Sequence, residues 1–204
     1  MHGAGARLQQ SERARIMMTS LRKAVCRAAW RVRRARDDER GISAIEFALI
    51  VPIMITLYMG VVELSHALTV DRRVTSVASV TADLVAQAEE LTDADITDIF
   101  NAATSVMQPY SATPLSIVVT SVVADENNAT TVAWSRALNG TAHPKDSAFT
   151  VPTGLTQPFS SVIVAEVSYT YTPVLGEFIT GSINLTDTFY LRPRRTMAVC
   201  LNGC

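Results

Sequence analysis

The sequence predicts an α+β fold, with a long N-terminal transmembrane and stalk helix, a second helix, and a C-terminal antiparallel β-sheet head. Three observations predict it. A long apolar segment follows a basic N-terminal region, a helical pattern of apolar residues continues beyond it, and the second half of the chain consists largely of β-branched runs. Because the helices precede the strands instead of alternating with them, the pattern favours an antiparallel sheet over a parallel α/β sheet.

Charge is distributed unevenly along the chain. Of 18 basic and 19 acidic residues, eleven basic and four acidic ones lie within residues 1–40. Charged residues make up 18% of the chain, below the roughly 25% of typical soluble proteins, while 48% of the residues are hydrophobic. This composition excludes a disordered protein and a uniformly basic nucleic-acid binder. Three cysteines exclude a disulfide-dense scaffold and a four-cysteine zinc site.

The longest apolar segment begins where the basic region ends. Sixteen residues without a formal charge, Phe47–Val62, lie between Glu46 and Glu63. A helix from Ile42 to Val70 is about 43 Å long, which exceeds a hydrocarbon core of about 30 Å. The preceding arginines follow the positive-inside rule, which places the N-terminus in the cytoplasm. The sequence therefore predicts a basic cytoplasmic leader (1–41), a transmembrane helix (42–70) and an extracytoplasmic α+β domain (71–204).

Other interpretations of this region remain open. A buried helix of a soluble protein is similarly apolar, and a cleaved secretory signal also follows basic residues, although its apolar region is shorter. The basic leader could contact nucleic acid, but its position before an apolar span explains the charge without such a partner. Translation could start at Met17 or Met18 instead of Met1, which would shorten the leader.

The junction Arg40-Gly41-Ile42-Ser43-Ala44-Ile45-Glu46-Phe47 places a glycine directly before the apolar segment and a lone glutamate five residues later. This pattern resembles the processing site of type IV prepilins and pseudopilins, which a membrane aspartyl peptidase cuts after the glycine. The resemblance implies cleavage between Gly41 and Ile42. It also implies that Glu46 pairs with the new N-terminal amine of a neighbouring subunit, because a carboxylate in lipid stays charged cheaply only beside a cation. Alternatively, Gly41 is an ordinary loop residue and Glu46 lies at the headgroup level.

A wider stretch, GISAIEFALIVPIMITLYMGVVELSHAL, is similar to the opening segment of TadE/TadG-like proteins, the minor pilins or pseudopilins of the tight-adherence (Flp pilus) secretion system. Weaker matches follow in order along the chain: Trp134-Ser135 with Gly140, Val162–Tyr169 leading to Tyr171-Thr172-Pro173, and Arg192-Pro193-Arg194.

The resemblance implies a minor pilin or assembly factor of a type IV-like pilus, anchored in the inner membrane with its C-terminal domain in the periplasm. The implied partners are other pilin-like subunits, tight-adherence inner-membrane assembly proteins, the prepilin peptidase and the lipid bilayer, without nucleic acid. The alternative function is an uncleaved single-pass anchor that displays an extracytoplasmic ligand-binding or sensory domain.

The elements of the outer domain are predicted one by one. Apolar spacing continues the first helix to about Glu89, and Thr92 caps a second helix whose first turn holds Asp93 and Asp95. Pro109 follows the end of that helix. Residues 139–158, with three prolines and two glycines, form a predicted loop. Four β-branched or alternating runs predict strands: Leu115–Ala124, Thr130–Arg136, Ser161–Thr172 and Ile183–Arg192.

Few other residues indicate chemistry. Cys200 and Cys204 close the chain as C-L-N-G-C, which predicts a disulfide in an oxidising compartment, with two free thiols as the alternative. Glu63 and His66 share a helix face and could form a headgroup-facing pair. The sequence contains no P-loop, HExxH, G-x-S-x-G or dinucleotide fingerprint, so it predicts no enzyme, no cofactor and no metal site.

Overall fold

The computed structural model describes residues 39–173 and 181–203. The chain divides into two units between Tyr58 and Met59. The elements are α1 (Glu39–Gln87), β1 (Glu90–Leu91), α2 (Asp93–Ser105), β2 (Leu115–Ala124), β3 (Thr130–Leu138), β4 (Ser161–Tyr171), β5 (Ile183–Leu191) and β6 (Cys200–Leu201). The α+β fold class is therefore confirmed. Most of the predicted basic leader, residues 1–38, lies outside the described residues.

Helix α1 is 49 residues long and begins at Glu39, three residues before the predicted start. Pro52 lies inside it, and because proline has no N–H, the carbonyl of Ala48 loses its helical hydrogen bond. The Thr56 hydroxyl donates to the Pro52 carbonyl over 2.8 Å. The hydroxyl is thus satisfied by its own helix, which suits a segment without water around it.

In the second unit, one stripe of α1 belongs to the hydrophobic core. Its buried residues are spaced three and four apart, as helical periodicity requires: Val70, Val74, Val77, Ala78 and Val85. Thr81, in the same stripe, is also buried, and its hydroxyl donates to the Val77 carbonyl over 2.7 Å. The predicted amphipathic pattern after Val70 is therefore confirmed.

Helix α2 begins as predicted. The Thr92 hydroxyl accepts from the Asp95 N–H over 3.3 Å, and the Thr92 N–H donates to the Asp95 carboxylate over 2.8 Å, which completes a capping box. At its C-terminal end, the Arg73 guanidinium donates to the Val106 carbonyl over 2.7 Å and lies over the ring of Tyr110. Arg73, which stands just after the apolar span, thus holds the end of α2 against α1.

Strands β2 to β5 form an antiparallel sheet in the order β3-β2-β4-β5. Strand β2 has the predicted bounds; β3 runs two residues beyond its prediction, and β4 and β5 each end one residue earlier. The register of β2 and β3 shifts between Ser121 and Val122, which marks a β-bulge.

The two faces of the sheet have different surroundings. Ile117, Val119 and Val167 on one face share a core with α1 and α2. On the other face, Val122 and Val164 are covered by the long loop before β4 through Phe149 and Val151. The loop covers only one end of that face, and this leaves the polar residues further along it accessible.

A short parallel pair, β1 with β6, was not predicted. Glu90 lies opposite Cys200 and Leu91 opposite Leu201. Two-residue strands have no periodicity to detect, so their pairing depends on the position of the C-terminal segment in the fold. The pair brings the end of the chain to the start of α2.

Candidate functional site

The most prominent surface of the described chain is the apolar surface of α1. Large apolar side chains are exposed all around the helix in the first unit, and Phe47 reaches 69% exposure. The further exposed members of this surface are Ile42, Ile45, Leu49, Ile50, Ile53, Met54, Ile55, Leu57 and Tyr58. Exposed Val61, Leu64 and Leu68 follow in the second unit. Exposure of such a surface to water is unfavourable, whereas contact with lipid or with an apolar partner is favourable.

Among the described residues, α1 is the one helix long and apolar enough to cross a membrane, with a mean hydropathy of 2.2 in its most apolar window. No residue of that window is buried inside the protein, which distinguishes it from a core helix of a soluble protein. Its length and composition indicate a single-pass membrane anchor.

Glu46 lies on this surface. Its side chain is exposed, and it has no ion pair or hydrogen-bond partner among the described residues. Ile42 precedes it by four residues, so the two lie on one face of α1 about 6 Å apart along the axis. A carboxylate among exposed Ile45 and Phe47 therefore lacks a cationic partner within the described part of the chain.

Gly41, the predicted cleavage position, is helical, since α1 starts two residues before it. The alternative interpretation of Gly41 as a loop residue is therefore wrong in this structure.

The environment of Glu63 differs from the one that the sequence predicts. Glu63 was expected to face the headgroups beside His66, but its side chain is only 2% exposed while His66 is exposed. Burial raises the pKa of the neighbouring Tyr171, and the charges of Tyr110 and Glu63 act in the same direction. The spacing of Glu63 and His66 places both residues on one face of α1. It cannot show that Glu63 is buried while His66 stays exposed.

Of the two C-terminal cysteines, the structure describes Cys200. Cys200 lies half-buried in β6, and Cys204 lies outside the described residues, so their disulfide stays a prediction. The preceding segment is anchored firmly, since Val199 is buried and its carbonyl accepts a hydrogen bond from Trp134.

A polar pair on the sheet was not predicted. The imidazole Nε2 of His143 and Oε2 of Glu166 lie 2.7 Å apart, although 23 positions separate the residues. Alternation along β4 could have placed Glu166 on the outer face, but the path of the loop that carries His143 has no sequence signal. Within residues 39–173 and 181–203, no group of three His, Cys, Asp or Glu side chains could hold a metal ion.

The match to a known family falls on the apolar helix. A family model described as TadE-like protein matches residues 41–83, which includes Gly41, Glu46 and most of the buried stripe of α1. No curated protein and no solved structure matches the chain. The match over residues 41–83 thus confirms the resemblance of this segment to TadE-like proteins.

Proposed function

We propose that this chain is a minor pilin or pilus assembly factor of the tight-adherence system, held in the inner membrane by α1. The observation that carries the proposal is the exposed apolar surface of α1 between Ile42 and Leu68, which falls inside the family match. The surface serves first as a membrane span and then as the face that packs against pilin-like neighbours.

The proposed orientation places the N-terminus in the cytoplasm and residues 71–204 in the periplasm. The basic residues within 1–40 support it, because cytoplasmic flanks retain Lys and Arg. Thr56 and Thr69 support insertion of the helix, since both hydroxyls donate to carbonyls of α1 four residues earlier. Neither hydroxyl then needs water or a partner within the bilayer.

In the proposed mechanism, a prepilin peptidase removes the leader between Gly41 and Ile42. The cut leaves an ammonium group on Ile42. The carboxylate of Glu46, which has no partner among the described residues, then pairs with the ammonium of a neighbouring subunit. Such a pair in lipid is favourable only when both charges are present, so it makes lateral packing depend on processing.

The test is mass spectrometry of the mature N-terminus, from cells with and without the prepilin peptidase. We expect a chain that begins at Ile42 only when the peptidase is present. Gly41→Leu should keep the leader, while the control Ala44→Leu, three residues away, should be processed normally. An intact leader in peptidase-competent cells would refute the processing step.

One observation favours a second function, an uncleaved single-pass anchor that displays an extracytoplasmic ligand-binding or sensory domain. Because α1 already includes Glu39 and Gly41, the chain across the predicted cut is helical rather than extended. This alternative predicts that the leader stays in the cytoplasm and that neither Gly41 nor Glu46 is needed for function.

A further inference from the structure

We propose that the outer face of the sheet carries a binding site for an uncharged polyhydroxylated ligand, a sugar residue, in the cavity beside His143 and Glu166. This inference does not rest on the proposed function, because the cavity lies on the sheet and α1 contributes no residue to it.

The cavity has a volume of about 320 Å³ and lies across three adjacent strands. Strand register places its floor in two rows that run across β2, β4 and β5. One row is Ser116, Ser168 and Thr186, and the other is Val118, Glu166 and Thr188. The volume lies at the lower end of small-ligand pockets, about 300–1,000 Å³, which suits one or two sugar rings.

The loop after β3 forms a wall of the cavity through Thr141 and His143. Gly140 lets this loop approach the sheet, since a Cβ there would lie 2.5 Å from the Ser116 Oγ and 3.2 Å from a Val118 methyl carbon. The His143 N–H donates to the Ser135 hydroxyl over 3.2 Å, and its ring meets Phe149 edge to face. The wall is thus held in place before any ligand binds.

Glu166 supplies a positioned carboxylate. One of its oxygens is held by the His143 ring at 2.7 Å, and both side chains are 35% exposed. An ionised carboxylate is an acceptor only, with about four lone-pair sites, so Glu166 retains the capacity to accept from ligand hydroxyls. Hydrogen bonds to a charged acceptor are stronger than neutral ones.

Five hydroxyl-bearing residues line the cavity together with Glu166: Ser116, Thr141, Ser168, Thr186 and Thr188. None of their hydroxyls has a hydrogen-bond partner among the described residues. Hydroxyls elsewhere on the same face do have partners, as Thr120 and Ser135 show at 2.9 Å. Five unpartnered hydroxyls in one depression match a ligand that itself presents several hydroxyls.

The residue types narrow the ligand class. Each hydroxyl can donate and accept, and Glu166 must receive donors, which vicinal hydroxyls of a sugar provide. The Glu166 carboxylate disfavours an anion. Val118 adds an apolar contact for the C–H face of a ring. A divalent cation is disfavoured, since no three ligating side chains converge within the described part of the chain.

The test uses the full chain in detergent and four free monosaccharides, glucose, galactose, mannose and N-acetylglucosamine, followed by saturation-transfer NMR. We expect transfer to the ring protons of at least one sugar. Glu166→Gln should weaken binding of that sugar about tenfold or more, because it removes the charged acceptor while keeping the shape. Thr186→Val, at an exposed position on the edge strand, should also weaken binding without affecting folding.

The matched control is Thr170→Val, on the same face of β4 but outside the cavity, which should bind the sugar as the parent chain does. Glu46→Ala should also bind normally, so that failure of pilus assembly and failure of sugar binding are separate results. Absence of transfer to all four sugars would overturn the proposal. Equal transfer in the parent, Glu166→Gln and Thr186→Val would overturn it too, as would calcium binding that needs Glu166 in a chain that binds no sugar.

Discussion

The indole nitrogen of Trp134 donates a hydrogen bond to the carbonyl oxygen of Val199 over 2.7 Å. This bond links the middle of β3 to the segment directly before β6. On the far side of Val199, the Cys200 N–H donates to the Glu89 carbonyl and the Asn202 side chain donates to Asp93. The end of the chain is therefore bound both to the sheet and to the start of α2.

Trp134→Phe should lower the free energy of unfolding by about 2 kcal/mol, because the buried Val199 carbonyl loses its donor. Amide hydrogen exchange at Asn202 should become faster in this variant. The control Tyr169→Phe also removes one hydrogen bond to a backbone carbonyl, that of Ser111. It should leave exchange at Asn202 as it is. Unchanged exchange at Asn202 in Trp134→Phe would contradict the role assigned to the indole.

Thr92→Ala should destabilise the second unit by about 1 kcal/mol, as measured by chemical denaturation in detergent, since α2 loses its N-terminal cap. The control is Thr97→Ala, inside the same helix. The Thr97 hydroxyl donates to the Asp93 carbonyl, a bond that contributes little, and alanine favours the helix. Equal losses in the two variants would show that capping is not the cause.

Acidification should destabilise the second unit through the first turn of α2. The hydrogen bond from Arg136, and then that from Asn202, lowers the pKa of Asp93, while the hydroxyl and the N–H of Thr92 lower the pKa of Asp95. Because both folded-state pKa values lie below the usual 3.8, the stabilisation is present above that pH and is lost as the pH falls through the folded values.

The measurement is the free energy of unfolding from about pH 6 to about pH 2.5 for the parent chain and for Asp95→Asn. The variant should be less stable near pH 6, and the difference between the two proteins should shrink on acidification. A constant difference across this range would mean that the charge of Asp95 does not stabilise α2.

Ile117→Ala and Ile53→Ala test the same chemical change in two environments. Ile117 is fully buried in the core, so its truncation should cost about 2–5 kcal/mol. Ile53 is 61% exposed on the apolar surface of α1, and its truncation should change the free energy of unfolding by less than about 0.5 kcal/mol. A large loss from Ile53→Ala would mean that Ile53 packs against the rest of its own chain.

Glu46→Ala should abolish or strongly reduce pilus assembly while leaving membrane insertion intact. Removal of a charge from the apolar segment cannot hinder insertion, but it removes the partner proposed for the N-terminal amine. Filament counts by electron microscopy and the membrane-bound fraction of the chain measure the two effects. Glu126→Gln, in an exposed turn, is the control. Normal filaments in Glu46→Ala would favour the uncleaved anchor.

The sequence predicts those features that depend only on residues close together along the chain. The four main strands follow from β-branched alternation, and the start of α2 follows from Thr92 with two acids after it. The turn at Asp125 is equally local, since its carboxylate accepts from the N–H groups of Asn127 and Ala129. Each feature depends on neighbours within a few positions, so the residue types alone predict it.

The exposed apolar start of α1 could also be predicted from the sequence. In the first unit, no described residue covers the apolar side chains of α1. All faces of the helix are therefore apolar, and the sequence there is a continuous apolar run. Beyond Tyr58 the same helix joins the core, and there the sequence pattern becomes amphipathic.

By itself, the sequence determined the fold class, the apolar helix with its lone Glu46, and the segment that matches TadE-like proteins, because these depend on composition and on short spacing along one chain. Tertiary structure alone decided that Glu63 is buried, that β1 pairs with β6, and that His143 meets Glu166 above a row of hydroxyls. These depend on how distant segments meet, and loop paths and sheet order, which bring them together, leave no periodic trace in the order of residues.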